Sequence, residues 1–112
     1  MYRIPAPAAG ASSVTAKRVA KVSLMLANGG DVLPQGNGLA VRNYGGVSYW
    51  PRDPALPLET AFEAEPCELK LAAEQQGEAL GFFADGEGYY TVSEGEGAIL
   101  HSYKFAVSSK SR

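Results

Sequence analysis

The sequence contains one cysteine, Cys67, and one histidine, His101, among its 112 residues. A single thiol cannot form a disulfide within the chain, and a single imidazole excludes a histidine-rich metal site. Apolar runs are short, and no segment approaches the roughly 20 residues needed to cross a bilayer. The opening residues 1–5 lack the apolar stretch of a signal peptide. We therefore expect a soluble chain with no membrane contact.

Long segments without glycine or proline are also scarce, because 13 glycines and seven prolines interrupt the chain every few residues. Such punctuation leaves little room for helices and favours short strands joined by tight turns. The apolar fraction of 46% and the net charge of −2 exclude a disordered chain. The composition therefore predicts an all-β globular fold.

Basic charge is present but not concentrated. Residues 1–52 carry six lysines and arginines against one acid, Asp31, while most acids lie further along the chain. The basic residues are not interleaved with a run of aromatics, as they are in many nucleic-acid-binding surfaces. We expect no nucleic-acid partner.

Two segments of the chain resemble each other at an offset of roughly 50 residues, within the period of β-propeller blades. The segments begin at Gly29 and Gln76. Each starts with a glycine-containing short strand, which is followed by a glycine turn, a β-branched or aromatic strand, a second glycine turn and a third strand. Residues 1–4 resemble the third strand of each unit, and fourth strands are predicted over residues 15–25 and from Cys67 to Leu71.

Four strands per unit predict consecutive four-stranded antiparallel β-propeller blades forming part of a propeller. Residues 1–28 would supply the last two strands of one blade, residues 29–75 a complete blade, and residues 76–112 three strands of a final blade followed by a polar tail. Two blades cannot close a ring, so the expected partners are missing propeller blades or further copies of the chain, together with a small-molecule or protein ligand.

With these motifs in hand, the chain resembles a group of largely uncharacterised β-propeller proteins related to the six-bladed and WD40-like families. The resemblance covers about residues 29–105 and depends on four motifs: Asp31–Gly36, Val41–Tyr44, Gln76–Ala79 and Ser93–Gly95. Gln35 and Asn43 depart from the pattern, which has Asp and Thr there. The resemblance implies the fold and no secure activity, because propellers host enzymes and binding modules alike; it also leaves an extracytoplasmic location open.

Asp31 and Glu78 are the most suggestive pair of candidate ligand-binding residues, because both are read as starting the innermost strand of adjacent blades. Such positions line the mouth of a propeller channel, where carboxylates could bind a metal ion such as Ca²⁺. The alternative is that each acid accepts backbone hydrogen bonds at a blade edge. A metal-dependent hydrolase or lactonase is accordingly the rival of a binding scaffold.

Three further residues complete the candidate ligand-binding set. Arg42 and Glu94 lie near equivalent strand ends, and a charge within an apolar strand needs a partner if it is buried. Arg42 is expected either in a structural ion pair or in binding an anionic ligand. Gln76 could donate to the same site, although a turn residue needs no such role.

Overall fold

The computed structural model describes residues 1–106, which form three antiparallel sheets and almost no helix. The all-β prediction is confirmed. The polar tail expected at the C-terminus lies outside the described residues beyond Ala106. Across residues 1–106 no helix has the length and apolar character required to traverse a membrane. The elements are β1 (Tyr2–Arg3), β2 (Lys17–Arg18), β3 (Gly29–Val32), β4 (Gly38–Asn43), β5 (Gly46–Pro51), a 3₁₀ helix (Leu58–Glu63), β6 (Cys67–Leu69), β7 (Gly77–Phe82), β8 (Gly88–Ser93) and β9 (Leu100–Lys104).

The first sheet is a two-stranded pair of β1 and β2. The strand predicted over residues 15–25 is wrong in length, because only Lys17 and Arg18 pair with β1. Its apolar residues Val22 and Leu24 pack instead against the cluster beneath the second sheet. The packing of these two side chains, and not the pairing of strands, therefore holds this segment against the second sheet.

The second and third sheets are meanders with the orders β3-β4-β5-β6 and β7-β8-β9. Their first hairpins have the same turn geometry. Gly36 and Gly86 have φ of 76° and 75°, a left-handed conformation that glycine adopts at little cost. The amides of Leu33 and Phe83 each donate 2.8 Å hydrogen bonds to the carbonyls of glycines 38 and 88, the first residues of β4 and β8.

The second sheet is covered on both faces. One face packs on the third sheet through a cluster built on Ala40, Val47, Leu80 and Tyr89. The other face packs on the N-terminal segment and the 3₁₀ helix through a cluster built on Leu39, Trp50 and Ala61. The third sheet buries only the face toward the second sheet, and its other face exposes large apolar side chains that include Tyr90 and Leu100.

The first strands of these two sheets, β3 and β7, lie side by side. The side chain of Asn28 donates to the carbonyl of Gly77 at 2.7 Å, and that of Gln35 to the carbonyl of Asp85 at 3.4 Å, which are offsets of 49 and 50 residues. The contacts advance in the same sense along both strands, so β3 and β7 run in the same direction. Residues that correspond in the two units are therefore neighbours in space.

Candidate functional site at the junction of two sheets

A buried ion pair lies where the second and third sheets meet. Nη1 of Arg42, on β4, donates to Oε2 of Glu74 at 2.8 Å, and the two side chains are only 1% and 2% exposed. The same Nη1 also donates to the carbonyl of Ala79 on β7 at 3.0 Å. Because the guanidinium comes from one sheet and its acceptors from the linker and the next sheet, this contact ties the two units together.

The third sheet supplies further contacts to Glu74. Oγ1 of Thr91, on β8, donates to Oε1 of Glu74 at 2.6 Å. Nε2 of His101, on β9, lies 3.8 Å from the same oxygen and is 31% exposed. A methyl group at Gly77 would overlap the guanidinium of Arg42, so this position must be glycine for the pair to form. Both carboxylate oxygens of Glu74 are thus hydrogen-bonded, as a buried charge requires.

A cleft of about 600 Å³ opens beside this ion pair. Arg42 and Glu74 form part of its wall together with Tyr44, Gly45, Gln75 and the short apolar stretch Leu71–Ala73. The wall of the cleft therefore combines the apolar stretch Leu71–Ala73 with Tyr44 and with the ion pair of Arg42 and Glu74, whose two charges are paired with each other.

Asp31 lies on β3 and connects the two sheets directly. Its Oδ2 accepts a 2.8 Å hydrogen bond from the amide of Phe82 on β7, and its Oδ1 accepts one of the same length from the amide of Val32. These contacts are of the kind described by the structural alternative for Asp31, in which the acid accepts backbone hydrogen bonds at the edge of a unit.

Glu78 does not occupy the repeat position of Asp31. Asp31 pairs with Ala40, the third residue of β4, whereas the third residue of β8, Tyr90, pairs with Gly81. The expectation that the two acids correspond is wrong because the two hairpins correspond at an offset of 50 residues, which makes Gly81, and not Glu78, the counterpart of Asp31.

The carboxylate of Glu78 accepts a 2.7 Å hydrogen bond from the hydroxyl of Tyr44. This hydrogen bond to the carboxylate raises the pKa of the Tyr44 hydroxyl, because the bond favours its protonated form. The contact is again one between the two units, since Tyr44 follows β4 and Glu78 is on β7.

Gln76 and Glu94 meet at the end of the third sheet. Gln76 precedes β7 with φ of 48°, and its carbonyl accepts a 2.9 Å hydrogen bond from the amide of Glu94. Both residues are exposed. Arg42 pairs with Glu74 and not with Glu94. Of its two predicted roles, a structural ion pair or the binding of an anionic ligand, the ion pair is therefore present.

Within residues 1–106 no group of three or more histidine, cysteine, aspartate or glutamate side chains is placed to hold a metal ion. Asp31 and Glu78 are each engaged in hydrogen bonds between the sheets.

Glu74 is the residue that the sequence pattern did not single out. It lies in the linker between the two units, outside any strand, and no motif marks it. The available signal was Arg42 itself, since an arginine in an apolar strand demands a carboxylate or carbonyl partner if it is buried. Which acid supplies that partner depends on how the linker folds back.

A comparison with protein-family models, with curated proteins and with solved structures found no match for the chain.

Proposed function

We propose that the chain is a segment of β-propeller-like blades that acts as a scaffold for binding a ligand or a protein partner, and that further blades or other copies of the chain complete it. The observation that carries this proposal is the side-by-side arrangement of β3 and β7. Innermost strands of neighbouring propeller blades lie next to each other around a common axis and run in the same direction, so units related in this way continue naturally into a ring.

The repeated turn geometry supports the same arrangement. The hairpins after β3 and β7 share their hydrogen bonds and their left-handed glycines, and their tips meet where Gln35 contacts Asp85. The two hairpins thus have the same backbone geometry, as successive members of a repeat array do.

The use made of the carboxylates favours a scaffold over a metal-dependent hydrolase. The hydrogen bonds of Asp31 and Glu78 run between units, and Glu74 neutralises Arg42. The ligand-binding role falls to the cleft beside Arg42 and Tyr44, whose wall is formed by the linker and the end of the second sheet.

Nuclear Overhauser effects test the arrangement. The amide of Leu80 lies 3.2 Å from the position of a Cβ on Gly29, so cross-peaks between protons of these two residues are expected. Assigned spectra that lack them, with the strand pairings of each sheet intact, would contradict the side-by-side placement of the units.

Thermal unfolding with Ca²⁺, Mg²⁺ or EDTA separates the scaffold from the metal-dependent enzyme. A protein that binds a metal only when folded gains stability as the metal concentration rises. We expect the Tm to be unchanged by all three additions. A rise with Ca²⁺ that is absent in both Asp31→Asn and Glu78→Gln would replace the scaffold with the metal-site alternative.

A further inference from the structure

The interface inside the chain joins two defined surfaces. The second sheet contributes the face that carries Ala40, Arg42 and Val47, and the third sheet contributes the face that carries Tyr89 and Thr91. Since all five residues are at most 2% exposed, this contact is closely packed. Each sheet has two faces. We call the face that corresponds to Ala40, Arg42 and Val47 of the second sheet the leading face, and the face that corresponds to Tyr89 and Thr91 of the third sheet the trailing face.

Within residues 1–106, nothing covers the leading face of the third sheet. It carries Tyr90, Val92 and Leu100, because Val92 pairs with Leu100 on the neighbouring strand and Tyr90 lies two residues before Val92. Tyr90 is 41% exposed and Leu100 is 60% exposed, whereas Ala40 and Val47, on the leading face of the second sheet, are buried.

A trailing surface is open at the other end of the chain. An apolar cleft of about 460 Å³ lies against the trailing face of the second sheet, with Val32, Leu39 and Val41 in its wall. These residues are the counterparts of Phe82, Tyr89 and Thr91, which the second sheet covers in the interior interface. The unit formed by β1 and β2 has only two strands, and it leaves Val32 37% exposed and Val41 half-buried, whereas Leu39 is already covered by the N-terminal segment and the 3₁₀ helix.

The free leading face differs chemically from the one that is already packed. Gly81 and Val92 stand where the second sheet has Asp31 and Arg42, as the strand pairings align them. The free face therefore has neither of the two charged side chains that hold the interior interface together. Tyr90, Val92 and Leu100 give it an apolar area that suits an apolar cleft, and the exposed Ser102 and Lys104 lie on the same face.

The charges at the two ends of the chain are complementary. Residues 1–28 contain four basic residues and no acid, whereas residues 76–112 contain five acids against two lysines and one arginine. Opposite charge of this kind favours the approach of one chain's C-terminal unit to another chain's N-terminal segment and disfavours approach of two like ends.

We propose that chains associate head to tail: the leading face of the third sheet in one copy, with Tyr90, Val92 and Leu100, docks into the apolar cleft of a second copy at Val32 and Val41. This partner assignment rests on the proposed blade arrangement, since it repeats the interior interface between copies. A contact of two different surfaces is heterologous, so it builds rings or open chains.

Light scattering after size exclusion, over a wide range of protein concentrations, tests the proposal. The unmodified chain is expected to have a mass that exceeds 11.8 kDa and rises with concentration. Leu100→Glu and Val32→Glu each place a charge on one of the two surfaces, and each alone is expected to give monomers. Their mixture is expected to give a one-to-one complex that grows no further, because each variant keeps one intact surface.

Leu56→Glu is the matched control, because Leu56 is 51% exposed and lies outside both surfaces. It should associate like the unmodified chain. Tyr90→Glu is a second variant of the leading face. It replaces Leu100→Glu in the test if that variant is not folded, as judged by the absence of cooperative unfolding. Association of Leu100→Glu and Tyr90→Glu at the unmodified level overturns the proposal, and so does self-association of Val32→Glu, which would mean contact between like faces.

The outcome separates this interface from the proposed function. A monomeric unmodified chain that retains the cross-peaks between Gly29 and Leu80 overturns the head-to-tail contact and leaves the blade arrangement standing. Loss of those cross-peaks contradicts the blade arrangement itself, whatever the mass.

Discussion

The second and third sheets share their hairpin geometry and differ in the side chains they present to the next unit. The second sheet reaches forward with Asp31 and Arg42, whose hydrogen bonds end on the amide of Phe82, on the carbonyl of Ala79 and on the linker residue Glu74. At the corresponding positions the third sheet has Gly81 and Val92. A common backbone thus carries one interface fixed by charged hydrogen bonds and one surface that has neither of those charged side chains.

This difference indicates how specificity is distributed. A buried ion pair often adds little net stability compared with a well-packed apolar replacement, but removal of one partner is costly. The interior contact is therefore tightly specified in register.

The largest expected effect comes from removing one half of the buried ion pair. Arg42→Met leaves Glu74 charged and buried, so we expect a loss of about 3–5 kcal/mol in the free energy of unfolding, measured by urea denaturation. The double variant Arg42→Met/Glu74→Met should regain most of that loss because no unpaired charge remains. Arg3→Met is the control: Arg3 pairs with Glu59 but is 55% exposed, and its loss should cost under about 1 kcal/mol.

Equal or larger destabilisation in the double variant would mean that the ion pair itself, and not the avoidance of a lone charge, stabilises the junction.

The next largest effect distinguishes two equivalent glycines at the start of β4 and β8. A methyl group at Gly88 would overlap the backbone carbonyl of Tyr103, whereas one at Gly38 would overlap the end of the Tyr49 side chain, which can move. We expect Gly88→Ala to lower the free energy of unfolding by about 1–3 kcal/mol and Gly38→Ala by less. Parallel urea titrations measure both, and a reversed order would show that the two hairpins are not held as described.

A smaller effect is expected from cutting the hydrogen bond between β3 and β7. Asp31→Ala removes the acceptor for the Phe82 amide and should cost about 1 kcal/mol, since Asp31 is exposed. Hydrogen exchange at Phe82 should become faster. Asp85→Ala is the control, because Asp85 accepts only from the nearby amide of Glu87 within its own turn; unchanged exchange at Phe82 in Asp31→Ala would argue against the contact between sheets.

The smallest effect at neutral pH concerns Tyr89, which stands in the third sheet where the second has Leu39. Burial raises the pKa of Tyr89 to about 12, above the ordinary tyrosine value of about 10. A pKa raised by folding contributes stability that is fully present below pH 10 and is lost as the pH rises through 12. Tyr89→Phe should therefore lose less stability than the unmodified chain across that window.

Thermal unfolding at a series of alkaline pH values measures this difference. Tyr90→Phe, which alters the exposed neighbour on the same strand, serves as the control and should retain the alkaline loss. Identical pH profiles for Tyr89→Phe and the unmodified chain would place the alkaline sensitivity elsewhere in the molecule.

Much of the fold was accessible from the sequence because it depends on local patterns. The glycine turns at Gly36 and Gly86 and the β-branched or aromatic strands that follow them are encoded within a few residues. The candidate site was less accessible. The equivalence of Asp31 and Glu78 failed because the strands correspond at the 50-residue offset of their turns, which makes Gly81 the counterpart of Asp31, and Glu74 was overlooked because its role depends on a partner 32 residues away.

The sequence by itself determined the all-β class, the positions of the hairpins and the need for a partner at Arg42, because turn propensity, alternation and the cost of a buried charge act over short distances. Tertiary structure alone decided that Glu74 is that partner, that Asp31 reaches the neighbouring sheet, and that one apolar face of the third sheet stays open. Those outcomes depend on how the sheets lie against each other. Contacts between residues far apart in the chain produce no periodic pattern in the sequence, so the sequence does not reveal them.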